Sequence, residues 1–383
     1  MNHDEETVDA EVVADIVPVR RPGSAVAVVA QEEEPDPDAW LPPEAEEDVR
    51  AGIPKSTERA YNTDMRLFAE WCTVAGRRSM PAAQQSVTAY MSYLKRTPRE
   101  RTKVPYSPSS MRRILAAIRA AHRAAGLQPP DTMGANKVIR GYEAELSNAK
   151  DPRAKPRKAT PADRDVLEDA LGHLDRATFP GKRDAALMLL GHAIASRGSE
   201  LVPLDWPSSF TMQPDGGMVV KVYRVKRKMW QDVTVPLDPD PALCAVRAVQ
   251  DLVAALEGVG RGQGPLFLRT GPHGEIAPEM TRGGKPIGDP AGRMTSEAAS
   301  DVVDRSVRRT GRAGVWRSHS LRRGFVKSSR QSKVDIVRIG RHGGWGDKSK
   351  ALIGYVDEDD AAGEMNPLTQ IGKAAAGGGE EQG

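Results

Sequence analysis

The sequence predicts a two-domain protein, an all-α N-terminal helical bundle followed by a mixed α+β domain. Three observations carry that prediction. Between residues 56 and 146, large apolar residues recur at three- and four-residue spacing. Residues 149–161 then run Ala-Lys-Asp-Pro-Arg-Ala-Lys-Pro-Arg-Lys-Ala-Thr-Pro, basic and proline-rich with almost nothing to pack, as in a semi-extended connector. Beyond it, helical segments flank two valine-rich runs of strand character, residues 218–225 and 231–237. A chain of 383 residues has room for two such cores and for tails.

Taken in order, residues 1–50 hold 15 acidic against 3 basic side chains, with prolines and few large apolar groups. That segment is too poor in apolar surface to offset chain entropy, so it is expected as a disordered acidic tail. The bundle occupies residues 51–148. Ser56 or Thr57 caps a helix carrying Tyr61, Met65, Phe68, Trp71 and Cys72, and Val87, Tyr90, Met91 and Leu94 mark a second. Ser109 or Ser110 opens a third, with Met111, Ile114, Leu115, Ile118 and Ala121 on one face and Arg112, Arg113, Arg119 and Arg123 on the other. A last helix near 133–146 carries Lys137 and Arg140. The connector 149–161 adds Arg153 and Lys155 as cations suited to phosphates.

The second domain is expected over residues 162–360. A helix from Pro161 to Leu171 precedes an almost wholly apolar one from Arg183 to Ala195. The two strands meet at Lys226-Arg-Lys-Met-Trp230. A helix from Pro241 to Leu256, a short strand over 265–269 and a Gly/Pro-rich loop from Thr270 to Gly292 follow. A loop that long points to a functional or mobile segment. Helices resume at 296–310 and 321–329, and residues 361–383 end in a low-complexity tail.

Composition narrows the chemistry. The net charge of +3 conceals a division: with the first 50 residues at −12, the other 333 carry 52 basic against 37 acidic side chains, a net of +15. A basic body suits a polyanion. No run approaches a membrane span of about 20 apolar residues. Cys72 and Cys244 stand apart with no CxxC and no histidine at ligand spacing, so a disulfide framework and a zinc site are both unsupported. A reducing, cytoplasmic setting fits. Glycines fall in no GxGxxG frame after a strand, and no Gly-x-Ser-x-Gly elbow or carboxylate cluster points to a hydrolase or metal nuclease.

One constellation remains. His319 and Arg322 sit three apart on one helical face, so both can address one anion. Arg197 closes the apolar helix in the frame Ala195-Ser-Arg-Gly-Ser-Glu-Leu201, and Tyr355 follows the turn Gly343-Gly-Trp345. Two planar guanidiniums can clamp a phosphate, a histidine can move a proton near neutrality, and a tyrosine can attack phosphorus and keep the bond energy in an aryl phosphodiester.

These residues, with Arg197-x-x-Glu200-Leu-x-x-Leu-Asp-Trp206 and His319-x-x-Arg322, resemble the tyrosine recombinases of the phage integrase family. The likeness spans roughly residues 55–360 and departs from the family where Ala195 replaces a glycine two residues before the arginine. It implies a SAM-like core-binding domain followed by the mixed α+β recombinase catalytic domain, closing as a clamp on double-stranded DNA. It assigns Arg197, His319, Arg322 and the nucleophile Tyr355 to catalysis, Glu200 to orienting the histidine or an arginine, and a hairpin lysine, Lys226 or alternatively Lys228, to general acid. Trp345 or His342 takes the remaining phosphate-donor position. The resemblance further implies a homotetramer on paired DNA sites, accessory directionality or DNA-bending proteins, no metal, no cofactor, and a C-terminal exchange segment within 361–383. Alternatives are a type IB topoisomerase-like nicking enzyme and a catalytically inactive DNA-binding protein on the same fold.

Overall fold

The computed structural model describes residues 42–100, 102–346 and 349–360; the acidic residues 1–41 and the expected exchange segment 361–383 lie outside them. The chain divides into two compact units between Glu145 and Leu146, a few residues before the expected boundary.

In the first unit, helix α1 (Pro43–Ala51) replaces the end of the expected disordered tail. Proline is tolerated in a first turn and Glu44 lies at the positive end of the helix dipole, so this acidic stretch suits a helix start. Helices α2 (Lys55–Val74), α3 (Gln84–Arg96), α4 (Pro108–Ala124) and α5 (Met133–Asn148) follow the apolar spacing. The cap of α4 is Ser107, whose hydroxyl accepts from the Ser110 amide at 3.3 Å, rather than Ser109 or Ser110. Phe68, Met91, Met111, Ile114, Ile118 and Ile139 form the buried core, each worth about 1.5–3 kcal/mol. His122 is buried too: its Nε2 accepts from the Ala82 amide at 2.8 Å and its Nδ1 donates to the Ile118 carbonyl at 2.7 Å, so it is spent structurally.

The connector is less bare than its composition suggests. Asp151 caps a 3-10 turn, Pro152–Ala154. Ala159 is buried, and the Thr160 amide donates to the Val315 carbonyl at 2.8 Å.

The second unit is built around α7 (Phe179–Ala193), in which every residue from Ala185 to Gly191 is buried. A helix apolar on all faces must be surrounded, and α9 (Ala245–Glu257) and α11 (Ser318–Gln331) flank it. Helices α6 (Arg164–Gly172) and α10 (Ser296–Arg308) complete this layer. The short α8 (Gly198–Leu201) precedes β1 (Asp205–Trp206), and then β2 (Phe210–Met212), β3 (Met218–Arg224) and β4 (Met229–Val235) form an antiparallel sheet in that order. Met218 opposes Val235, Val220 opposes Val233 and Val222 opposes Gln231. One face of the hairpin is therefore apolar and buried, and the other exposes Lys221, Tyr223 and Trp230.

The strand expected over 265–269 shrinks to β5 (Gly264–Pro265), paired with β1; Leu266, Phe267 and Leu268 are buried without a continuous ladder. The long loop is not loose. It folds into a small hairpin, β6 (Thr281–Arg282) and β7 (Lys285–Pro286), and Arg269 ties its ends by donating to the Pro278 carbonyl at 2.8 Å and the Asp289 carbonyl at 2.7 Å. Helices α12 (Ile336–His342) and α13 (Lys350–Asp360) close the described chain.

Candidate active site

The first arginine is presented by the break between α7 and α8. The backbone turns at Ala195, which is buried at a left-handed φ of 47°. That conformation costs a non-glycine residue about 1–2 kcal/mol, which explains why glycine suits the position. Here the methyl group packs with Val326, Ile339, Trp345 and Leu352, offsetting part of the strain. The turn leaves Arg197 partly exposed and directs its Nη1 to the Glu200 Oε1 at 2.6 Å.

Glu200 is the hub of the site. Its fully buried carboxylate also takes Arg224 Nη1 at 3.2 Å and lies 4.0 Å from Arg322 Nη1. Burial alone would raise its titration, but the charge and hydrogen bonds of Arg197, with Arg322 behind them, hold it below the ordinary glutamate value. Of the two roles expected for Glu200, the structure supports contact with arginines.

The N-terminal turn of α11 supplies the next pair. The helix begins at Ser318, one turn earlier than the sequence predicts, so His319 and Arg322 lie in its first turns, at the helix end that favours anions. Arg322 is fully buried. Its Nη1 donates to the Gly343 carbonyl at 2.8 Å and to the Ala195 carbonyl, while Nε and Nη2 have no acceptor among the described residues. Burial, then the neighbouring Arg197, pushes the guanidinium well below its usual value. Its face stacks 3.5 Å from the centre of the Trp345 ring, whose buried Nε1 also lacks an acceptor among those residues. Three buried donors without partners are costly unless an anion meets them.

Tyr355 lies on α13, and its hydroxyl is 2.7 Å from His319 Nε2. Trp345 packs against the tyrosine ring at 6.2 Å, and Arg323 covers its face at 5.0 Å. His319 is depressed to about 4, first by burial and then by Arg322, Arg197, Arg323 and Lys226. The imidazole is therefore neutral at physiological pH, free to accept the phenol proton at Nε2.

The alternates separate. His342 turns inward: its Nε2 lies 2.7 Å from the Ala193 carbonyl and its ring stacks on Phe325 at 4.7 Å. Trp345, not His342, borders Arg322 and Tyr355. Lys226 and Lys228 are both exposed on the tip between β3 and β4. Lys226 is the one whose charge reaches His319, whereas Lys228 takes the left-handed turn position at φ 51°.

Three of the eight expected DNA-contacting cations are committed within the chain. Arg112 pairs with Glu143, Arg113 with the buried Asp64 at 2.5 Å, and Arg153 with Asp151 at 2.6 Å. A carboxylate as buried as Asp64 requires such a partner. Arg119, Arg123, Lys137, Arg140 and Lys155 are exposed.

Sequence reasoning missed Arg224 and Gln231. Their signal was present, since both fall in register with the inward valines of β3 and β4. A charged residue on a buried strand face calls for a reason.

The sequence profile of the phage integrase family matches residues 162–362, just over half of the chain. The chain belongs to the phage integrase family. It is 25% identical over 330 residues to an integrase/recombinase xerD homolog from Selenomonas ruminantium, covering 81% of this chain and 85% of that protein. It is 29% identical over 224 residues to the tyrosine recombinase XerD of Xanthomonas axonopodis pv. citri (strain 306), covering 57% and 65%. The crystal structure of a lambda integrase dimer bound to a COC′ core site superimposes with a TM-score of 0.50 at 14% identity, covering 84% of this chain and 94% of that one. This integrase fold accounts for the small sheets set among helices.

Proposed function

We propose that this chain is a site-specific DNA recombinase that cuts and rejoins double-stranded DNA through a 3′-phosphotyrosyl intermediate. The observation that carries this reading is the Tyr355 hydroxyl held 2.7 Å from a neutral His319, beside Arg322 and Trp345 donors that lack an acceptor among the described residues. A scissile phosphate would accept from Arg322 Nε and Nη2, Trp345 Nε1 and the exposed edge of Arg197. His319 Nε2 takes the phenol proton as Tyr355 Oη bonds to phosphorus. The bond from phosphorus to the 5′ oxygen breaks, and Lys226 gives that oxygen its proton. Reversal by a 5′ hydroxyl from another strand rejoins the DNA with the same atoms, so no external energy source enters.

In this reading Arg119, Arg123, Lys137, Arg140 and Lys155 contact phosphates, and four copies assemble on two duplex sites in the cytoplasm, with accessory directionality or bending proteins. The biological outcome is integration or excision of a mobile element, or resolution of a replicon. Family membership and the complete set of catalytic side chains support an active enzyme.

The test uses a nicked duplex carrying the recombination site mapped in the DNA flanking the gene. Wild-type protein should form a covalent protein–DNA adduct in EDTA, and Tyr355→Phe should form none. Adducts that persist in Tyr355→Phe, or that require a divalent metal, would overturn the assignment. Strand exchange that occurs only with paired sites separates a recombinase from a topoisomerase-like nicking enzyme.

A further inference from the structure

Arg224 is the last residue of β3 and only 1% exposed. Burying a guanidinium costs several kcal/mol unless its donors are met. Here they are met by four different segments. Nε donates to Gln231 Oε1 on β4 at 2.8 Å and Nη1 to Glu200 on α8 at 3.2 Å. Nη2 donates to the Ile194 carbonyl after α7 at 3.0 Å and to the His342 carbonyl ending α12 at 3.2 Å. Gln231 extends the lattice, its Nε2 reaching the Arg341 carbonyl at 2.8 Å and the His342 carbonyl at 3.1 Å. Arg227 Nη1 adds a link to the Trp345 carbonyl at 3.3 Å. The turn after α12 fits against this lattice so closely that a Cβ on Gly344 would lie 2.8 Å from Arg224 Nε.

The hairpin tip beyond Arg224 is exposed, and Lys226 stands two residues past it, a reach of about 7 Å along the backbone. A lysine on a free tip would sample many positions, whereas a general acid must stay within hydrogen-bond reach of its target.

We infer that Arg224 is a positioning residue: it locks the β3–β4 tip and the Gly343–Trp345 turn into one unit, and so fixes where Lys226 meets the leaving 5′ oxygen. The inference rests on the reading of Lys226 as general acid. Gln231 serves the same lattice from the opposite strand. The phosphate ligands Arg322 and Trp345 share its rigidity, but the sharpest dependence lies in proton delivery, because Lys226 projects from an exposed tip that is tied to the site through Arg224, Gln231 and the single Arg227 bond to Trp345.

The test compares two versions of the nicked duplex in single-turnover cleavage. One carries the ordinary 5′ oxygen and the other a bridging sulfur at that position. Sulfur leaves as a thiolate, whose conjugate acid has a pKa near about 8.5, and needs no proton from the protein. Arg224→Lys keeps the charge but loses the planar fork. It should slow cleavage of the oxygen duplex about 100-fold, the effect of roughly 1 Å of misplacement. Gln231→Ala, a milder change that leaves the Arg224–Glu200 pair in place, should slow it about 10-fold by the same argument. On the sulfur duplex both variants, and Lys226→Ala beside them, should return to within a few-fold of wild type, with duplex affinity unchanged throughout. If Lys226→Ala is rescued and the other two fall equally on both duplexes, Arg224 is merely structural and the inference is overturned. If Lys226→Ala is itself not rescued, the general-acid assignment fails and takes the inference with it.

Discussion

Glu200→Gln replaces a carboxylate by an amide of nearly the same shape, so it tests charge and not volume. In the wild type a fully buried carboxylate sits 2.6 Å from Arg197, 3.2 Å from Arg224 and 4.0 Å from Arg322. Arg224 and Arg322 are themselves 1% and 0% exposed, so water cannot compensate them. Removing one partner of a buried ion pair costs about 3–5 kcal/mol, chiefly because the other charge is left uncompensated. For a domain of about 200 residues each kcal/mol moves the melting temperature by about 2–4 °C, which predicts a loss of roughly 6–20 °C by calorimetry.

The pH dependence supplies a second check on the same variant. Because Arg197 and its neighbours hold the Glu200 titration below that of the unfolded chain, the carboxylate stabilises fully above the ordinary glutamate range, about 4.3. That contribution is lost as pH falls through the lower folded value. The gap between wild type and variant should therefore be widest near neutrality and close under strong acid. A gap within about 2 °C at pH 7, or one that widens on acidification, would refute the view of Glu200 as the counter-charge of this core.

Further outcomes follow from other contacts. His319, depressed to about 4, should remain neutral by NMR titration down to about pH 5; its share of stability is present above the unfolded value near 6.5 and declines as pH falls from there toward 4. Gly343→Ala would place a Cβ 1.7 Å from the Trp345 ring, driving the indole off Arg322. Adduct formation should fall about 100-fold, as for loss of one transition-state donor, with a shift in tryptophan fluorescence. Gly324→Ala would set a Cβ 1.7 Å from the Ala162 carbonyl oxygen. The obstacle is backbone and cannot rotate away, so α11 must shift, at a cost of about 3 kcal/mol or more in denaturant unfolding.

The helical unit was legible because its periodicity is local. Phe68, Met91, Met111 and Ile118 announce their faces without knowledge of any partner. Tyr355, His319, Arg322 and Arg197 could be singled out as candidates because the chemistry demands those residue types, and the structure brings His319 and Tyr355 into hydrogen-bond contact across 36 residues. Electrostatic ownership was not legible. Which of many arginines is free depends on carboxylates distant in sequence: Arg113 is claimed by Asp64, 49 residues away, and Arg112 by Glu143, 31 residues away. His342 was ambiguous for the same reason, since only the folded chain brings the Ala193 carbonyl, 149 residues upstream, to its Nε2. Arg224 hid in a strand because alternation places it inward, but no local rule identifies the four acceptors that make burial tolerable.

That ownership also explains the charge balance of the site. One carboxylate is shared by Arg197, Arg224 and Arg322, while Arg323 and Lys226 add to the field at His319. Such an excess of positive charge is destabilising by itself, and it adds to burial, the larger cause, in pushing His319 far below its ordinary value. An anion bound at the free edges of Arg322 and Trp345 would cancel part of that field and raise the His319 titration back toward its ordinary value. The imidazole would then gain basicity only when a phosphate is in place. Proton transfer to His319 would then be coupled to substrate. The signature is an upward shift of the His319 titration on adding uncleavable duplex to Tyr355→Phe; an unchanged titration would mean that the phosphate does not enter among these guanidiniums.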